Sequence, residues 1–131
     1  MTYRGSVKRT SLILTTGLIV LVVFPWGDFQ GHTHWQKVGW IPFVSPPVRL
    51  FDIIANALLF MPFGAALMVN SSRRGRKALA VATLAGTALS FSGEAAQLYS
   101  HARFPSATDL VCNTFGAFLG ASLVRQNNPR S

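Results

Sequence analysis

Few residues of this chain are suited to chemistry, because only four of its 131 residues are acidic and one is cysteine. Three of the acids lie within or at the edge of apolar stretches: Asp52, Glu94 and Asp109. Buried carboxylates of this kind can accept protons or ligate hard cations such as Mg²⁺ and Ca²⁺. The single cysteine, Cys112, excludes an internal disulfide and a multi-cysteine metal site, and we interpret it as a packing residue.

An asparagine accompanies two of these acids at helical spacing. Asn56 follows Asp52 by four residues, and Asn113 follows Asp109 by the same interval. Residues four apart share one face of an α helix, so each pair presents a carboxylate and an amide together. The two Asp-x-x-x-Asn motifs also form a short internal repeat. This repeat predicts two helical hairpins in parallel orientation, with the motifs at equal depth.

A third polar face surrounds Glu94. Ser90 lies four residues before it and Gln97 three residues after it, so all three share one helix face. Arg103 follows in a short segment before the next apolar stretch. A guanidinium can bond a carboxylate or a phosphate bidentately. We therefore expect Arg103 to pair with one of the acids, with Arg49 as the alternative partner.

The elements that position these residues are four apolar stretches, at about residues 11–26, 50–69, 78–99 and 108–124. Half of the chain is hydrophobic and only 12% is charged, which indicates lipid as the surrounding solvent. About 20 helical residues cross the hydrocarbon, and backbone polar groups in lipid must bond within their own helix. We predict an all-α integral membrane bundle of four transmembrane helices, built as a single domain over residues 1–131.

The distribution of basic residues predicts the orientation. Nine of the twelve would fall on one side of a four-span bundle, and basic residues accumulate on the cytoplasmic side. These nine are Arg4, Lys8, Arg9, Arg73, Arg74, Arg76, Lys77, Arg125 and Arg130. Both termini are therefore predicted to be cytoplasmic (N-in/C-in), and the three polar faces to meet in one layer near the outer leaflet. Topology accounts for the net charge of +8, so no nucleic-acid partner is predicted.

The segment from Gly27 to Arg49 is predicted to be an ordered loop on the outer membrane surface. Four aromatic residues fall near this boundary, where amphipathic rings anchor: Trp26, Trp35, Trp40 and Tyr99. His32 and His34 also lie in the loop. A zinc site needs three or four ligands, and the sequence shows no third ligand nearby. We interpret both as loop histidines, and no metal site is predicted.

Two features bear on helix packing. Gly116 and Gly120 are spaced to permit close backbone approach, and packing against the second helix is favoured over dimerisation. Pro62 is expected to kink the second helix near its middle.

The chain resembles the VanZ-like family over about residues 39–124. The resemblance is carried by Asn56-Ala-Leu-Leu-Phe60-Met-Pro62-Phe-Gly64, by Ser90-Phe-Ser-Gly-Glu94-Ala-Ala-Gln97, by Arg103, and by Asp109-Leu-Val-Cys-Asn113-Thr-Phe-Gly116. Gly39 stands where the family has an asparagine, and Ser106 where an acidic residue is common. The resemblance implies a shared polar site and an envelope function, since the family's namesake is linked to low-level resistance to teicoplanin, a lipid-tailed glycopeptide.

Three interpretations of the polar layer remain open. It forms an interhelical hydrogen-bond network, a site for a polar or phosphorylated headgroup, or a hard-cation site; beyond such a divalent cation no cofactor is predicted. In the headgroup interpretation Arg103 binds the anion and Glu94 or Asp109 accepts a proton. The orienting, substrate-binding residues would be Asp52, Asn56, Gln97 and Asn113.

These interpretations lead to three function hypotheses. The first is a protein of the bacterial cytoplasmic membrane that binds, and in a stronger form modifies, a lipid-linked or lipid-tailed envelope molecule. The second is a non-enzymatic scaffold or regulatory subunit with a membrane protein partner. The third, transport of an ion or small solute, is less favoured because transporters place their site near the midplane of the bilayer.

Overall fold

The structure, a computed structural model, describes residues 2–44, 48–73 and 75–127, with the backbone alone for residues 2–5. Within these ranges the chain forms four α helices and one short 3-10 helix. They are α1 (Thr2–Val23), the 3-10 helix (Trp35–Lys37), α2 (Leu50–Asn70), α3 (Gly75–Gln97) and α4 (Ala107–Asn127). Arg74, Arg130 and the side chain of Arg4, all used to predict orientation, lie outside the described residues.

All four α helices are long and apolar enough to cross a membrane, which confirms the predicted all-α membrane bundle. The boundaries differ most at the first helix, which spans Thr2–Val23 rather than 11–26. It ends earlier because Pro25 has no backbone N–H and disfavours helical geometry at the preceding residue. It also begins earlier, and α4 extends to Asn127, so both short stretches gain length from their flanks.

The helices alternate in direction, so that the bundle has two distinct ends. Asn70, the last residue of α2, donates from Nδ2 to the Lys8 carbonyl near the start of α1, at 2.8 Å. α1 and α3 therefore end where α2 and α4 begin. We call this the loop end; of the described residues it carries 24–44, 48–49 and 98–106. The opposite end, with residues 71–73 and the C-terminal turn of α4, is called the basic end.

The parallel helices α2 and α4 pack with their backbones in contact. A Cβ at Gly116 would meet the Ala57 carbonyl, and one at Gly120 would meet the Met61 carbonyl. A Cβ at Gly64 would likewise meet the Ala117 carbonyl. Small residues permit this approach, and the predicted packing of the glycine pair against the second helix is confirmed.

The interior between the helices is filled by a few large side chains and many small ones. Ile19, Phe60 and Ala117 are fully buried and join α1, α2 and α4. Cys112 is also buried, as expected of a packing residue. Pro62 lies inside α2, which continues as one helix from Leu50 to Asn70. A kink at this proline stays a prediction.

The segment after α1 pairs with the α3–α4 link over part of its length. Isolated bridges join Phe29 to Ser100 and Gly39 to Ser106. The Gly39 amide donates to the Pro105 carbonyl at 2.9 Å, and the Ala107 amide donates to the Gly39 carbonyl at 2.9 Å. These contacts fix the start of α4 against the loop.

The four predicted anchor aromatics lie at the loop end and are substantially exposed. Trp35 and Trp40 stack with their ring centroids 6.2 Å apart. Trp26 packs against Phe24 and donates from Nε1 to the Val20 carbonyl at 2.9 Å. Their location suits an interfacial belt, and contact with the membrane surface remains a prediction.

Candidate functional site

Four of the seven predicted site residues line one cavity at the loop end. The cavity has a volume of about 520 Å³ and is lined by Asp52, Asn56, Arg103 and Asp109. The parallel packing of α2 and α4 brings the two aspartates together, since each occupies the third position of its helix. Aspartate is favoured there because the helix dipole is positive at the N-terminus.

The walls of this cavity are mixed in character. Val22 of α1 and Leu59 of α2 supply apolar surface, while Ser106 and Thr108 supply hydroxyl groups. The Thr108 hydroxyl is already engaged, because its Oγ1 accepts the Phe43 amide at 2.9 Å. The carboxylates, amide and guanidinium of the four predicted residues therefore dominate the polar lining.

Arg103 does not form the predicted pair with a carboxylate. Its Nη1 donates instead to the Val22 carbonyl near the end of α1. The last four carbonyls of a helix have no partner within it, and side chains donate to three of those of α1. They are Trp26 at Val20, Arg103 at Val22 and Gln97 at Val23. Arg49, the alternative partner, directly precedes α2 and does not line the cavity.

Glu94 is buried beside the polar cavity rather than within its lining. Its Oε2 accepts the Ser106 amide at 2.7 Å. On its other side lies an apolar cavity of about 230 Å³, bordered by Trp40, Phe91 and Leu110. Ser106 lines both cavities, so Glu94 and Ser106 stand in the wall between them.

Gln97 and Asn113 are placed elsewhere. Gln97 is buried and donates from Nε2 to the Val23 carbonyl at 3.0 Å. Asn113 is also buried and donates from Nδ2 to Ser90 Oγ at 2.9 Å, joining α3 to α4. Neither lines the cavity. For these two residues the geometry agrees with the interhelical network.

The cavity also contains the oxygen ligands that a hard cation prefers. The Asp52 and Asp109 carboxylates and the Asn56 amide oxygen could bind Mg²⁺ or Ca²⁺. Two carboxylates in one cavity repel each other, and either a cation or a hydrogen-bond donor relieves that repulsion. Arg103 supplies positive charge in the same cavity, and a ligand that suits the aspartates would present positive charge or donor groups to them.

His32 and His34, interpreted from the sequence as loop histidines with no third ligand nearby, lie beside His101 in the structure. One ring nitrogen of each of the three residues lies within 4.8 Å of the others. His101 is distant in sequence, so local spacing could not reveal it. A signal was present nonetheless, since all three histidines fall in the two segments predicted to share one side of the membrane.

The sequence interpretation also gave no role to Asp28, the one acid outside the apolar stretches. Its Oδ2 accepts the Ser100 hydroxyl at 2.5 Å, the His101 amide at 3.0 Å and the Ala102 amide at 2.8 Å. These bonds, that from Ser100 foremost, lower the pKa of Asp28 to about 2. Asp28 thus holds the start of the α3–α4 link, which carries Arg103, against the loop.

Comparison with known proteins places the chain in a family. A family model described as VanZ/LLP1 matches residues 8–126, which include α2, α3, most of α1 and α4, and the loop end. No curated protein and no solved structure matches the chain at a significant level. Since the family match covers nearly the entire chain, this multi-pass membrane protein belongs to the VanZ/LLP1 family.

Proposed function

We propose that the polar cavity binds the headgroup of a lipid-linked or lipid-tailed envelope molecule, at the outer face of a bacterial cytoplasmic membrane. The observation that carries the proposal is the convergence of Asp52, Asn56, Arg103 and Asp109 on one cavity at the loop end. The excess of basic residues in the segments of the opposite end supports an outward-facing loop end. A lipid in the outer leaflet would then reach the cavity from the side.

Arg103 is the proposed anion-binding group. Its guanidinium carries five N–H donors, and the Val22 carbonyl occupies a single one. The remaining donors suit a phosphate or carboxylate. The two aspartates in the same cavity would repel a ligand that is only anionic. The proposed headgroup therefore combines an anionic group for Arg103 with hydroxyl or amine donors for Asp52 and Asp109.

Of the two carboxylates expected to accept a proton, Asp109 is the better placed. It lines the cavity together with Arg103, whereas Glu94 accepts the Ser106 amide and borders the apolar cavity. We assign Glu94 the role of a positioning residue for the link between Arg103 and α4. Proton exchange with a bound headgroup would involve Asp109.

Native mass spectrometry of the gently extracted protein tests the proposal. We expect wild-type protein to retain one headgroup class of lipid, and Arg103→Ala to lose it by about tenfold or more, since hydrogen bonds to charged groups contribute about 1.5–3 kcal/mol. Arg76→Ala, at the exposed basic end, is the matched control and should retain the lipid. A parallel sample with added Mg²⁺ and one with chelator distinguish direct binding from binding through a cation.

Equal lipid occupancy in wild type and Arg103→Ala would contradict the proposal. Recovery of a stoichiometric protein partner in place of lipid would instead support the scaffold hypothesis.

A further inference from the structure

All three histidines of the chain meet at one point on the loop end. The centroid of the His34 ring lies 4.7 Å from that of His32 and 4.6 Å from that of His101. Nε2 of His32 and Nε2 of His101 are 3.3 Å apart. Two nitrogens bound to one tetrahedral zinc at about 2.0–2.1 Å lie about 3.3 Å apart, so this pair already has the separation that a shared ion requires.

The hydrogen bond of His34 uses Nδ1, so that Nε2 can bind a metal. Its Nδ1 lies 3.2 Å from the Leu98 carbonyl oxygen, which can only accept, so Nδ1 carries the proton. Nε2 of a neutral His34 then keeps its lone pair. Metal-binding histidines commonly donate their other ring nitrogen to a carbonyl or carboxylate in this way, which fixes the tautomer and the ring orientation.

The backbone on both sides of the cluster is held in place. The His34 amide donates to the Leu98 carbonyl at 2.9 Å. The His101 amide donates to Asp28 Oδ2 at 3.0 Å, between the Ser100 and Ala102 donors to the same oxygen. His32 and His101 are exposed, so their rings can rotate until one nitrogen from each of the three histidines reaches a shared ion. The cluster therefore combines a fixed backbone with adjustable side chains.

We propose that His32, His34 and His101 form a binding site for a divalent transition metal, with Zn²⁺ as the best match. Three imidazoles suit zinc, copper or nickel rather than magnesium or calcium. Three protein ligands leave a fourth position for water or another small ligand. The site is separate from the polar cavity and goes beyond the proposed function.

The metal would join two segments that are far apart in sequence. His32 and His34 belong to the loop after α1, and His101 to the α3–α4 link. Arg103 lies two residues after His101. A bound ion would restrict the link and with it the Arg103 guanidinium, so metal occupancy would stabilise the loop end.

Titration with Zn²⁺ alone tests the site, using metal-free protein without a histidine tag. Elemental analysis after dialysis should give close to one zinc per chain, the stoichiometry of a single site of this kind. His34→Ala and His101→Ala should each weaken binding by at least about tenfold, because even residues that only orient metal ligands contribute about 10- to 100-fold. Asp28→Ala should have a smaller effect than either, since Asp28 accepts the backbone amide of His101. Gln36→Ala, an exposed change in the same loop, should bind as wild type does.

A second measurement requires no variant. Because the chain has no other histidine, modification of wild-type protein by diethyl pyrocarbonate reports on this cluster at its histidines. Zinc should protect all three from modification. Unprotected histidines at saturating zinc, or equal zinc affinity in wild type and a variant lacking all three histidines, would overturn the proposal. If the wild-type protein bound zinc but retained no lipid, the result would contradict the proposed function alone.

Discussion

The two Asp-x-x-x-Asn motifs have the same spacing and the same direction, yet their surroundings differ. In the α2 motif Asp52 is exposed and Asn56 half-buried, and both line the polar cavity. In the α4 motif Asp109 is half-buried and lines the same cavity, but Asn113 is buried and bonded to Ser90. Each residue of the α4 motif is therefore more buried than its counterpart in the α2 motif.

The difference arises from the neighbours of each helix. α4 packs against both α2 and α3, so the face that carries Asn113 meets Ser90 of α3. A second polar contact on the same side joins Thr87 to Thr114 at 3.1 Å. Both aspartates nevertheless line the same cavity, because both helices begin at the loop end. A sequence repeat in parallel helices thus predicts equal depth, but not equal function.

The comparison of the two motifs depends on the close packing of α2 and α4. Disrupting that packing should have the largest effect on stability. In Gly120→Ala the new Cβ meets the Met61 carbonyl, so the backbones must separate. Overpacking of this kind costs about 1–3 kcal/mol. The measurement is unfolding of the purified protein in mixed micelles.

Gly17→Ala is the control, because a Cβ at this helical position of α1 meets nothing within 4 Å. It should leave stability unchanged or raise it by up to about 1 kcal/mol, since alanine is the better helix former. Equal destabilisation by the two changes would show that α2 and α4 are not in backbone contact.

Replacing the two asparagines in turn separates their roles. Asn113→Ala removes a buried hydrogen bond and leaves Ser90 without its partner, so we expect a loss of about 1–2 kcal/mol of stability. Asn56→Ala should change stability by less than about 0.5 kcal/mol, because its side chain is half-buried beside the cavity. Lipid retention should fall only in Asn56→Ala. The reverse pattern would exchange the roles of the two motifs.

A double-mutant cycle sharpens the assignment of Asn113. Ser90→Ala and Asn113→Ala should each destabilise the bundle, while the double variant loses less than their sum. Polar contacts between membrane helices couple by about 0.6 kcal/mol on average. The same cycle between Ser90 and Asn56 should give no coupling within experimental error. Additivity of Ser90 and Asn113 would contradict the hydrogen bond.

We expect the smallest effect from replacing the aspartates, measured as retention of the lipid. Asp52→Asn removes an exposed charge, and exposed ion contacts contribute about 0.2–1 kcal/mol, so retention of the lipid should change by no more than about fivefold. Asp109→Asn should have the larger effect because Asp109 is more buried. Comparing a lipid with an amine in its headgroup against a purely anionic lipid checks the cause. Both variants should lose preference for the amine, and an unchanged preference would count against donor recognition.

Much of the fold could be predicted from the sequence because lipid imposes strict requirements on length and composition. Local sequence pattern predicts the four helices and the packing of Gly116 and Gly120 against α2. It also predicts that Asp52 and Asp109 lie at the same end of the bundle. Hydropathy alone did not predict the ends of α1 and α4, because Pro25 and the polar flanks determine where these helices begin and end.

The contacts that the sequence did not predict share one physical cause: they join the α3–α4 link to α1 and to the loop that follows α1. The contact of Arg103 with Val22, the bonds of Asp28 to residues 100–102 and the meeting of His101 with the loop histidines all join distant parts of the chain. Periodicity along one helix carries no information about such contacts. Gly39 and Ser106, the two departures from the VanZ-like pattern, also pair with each other across these segments.

The most direct test of the central claim is the labelling of single cysteines in intact cells with a membrane-impermeant maleimide, in a background with Cys112→Ala. Asp52→Cys and Asp109→Cys should both react from outside, because both positions line one cavity at an outward-facing loop end. Arg76→Cys should react only after permeabilisation. Reaction of Asp52→Cys and Asp109→Cys from opposite sides, or of both only after permeabilisation, would contradict the account.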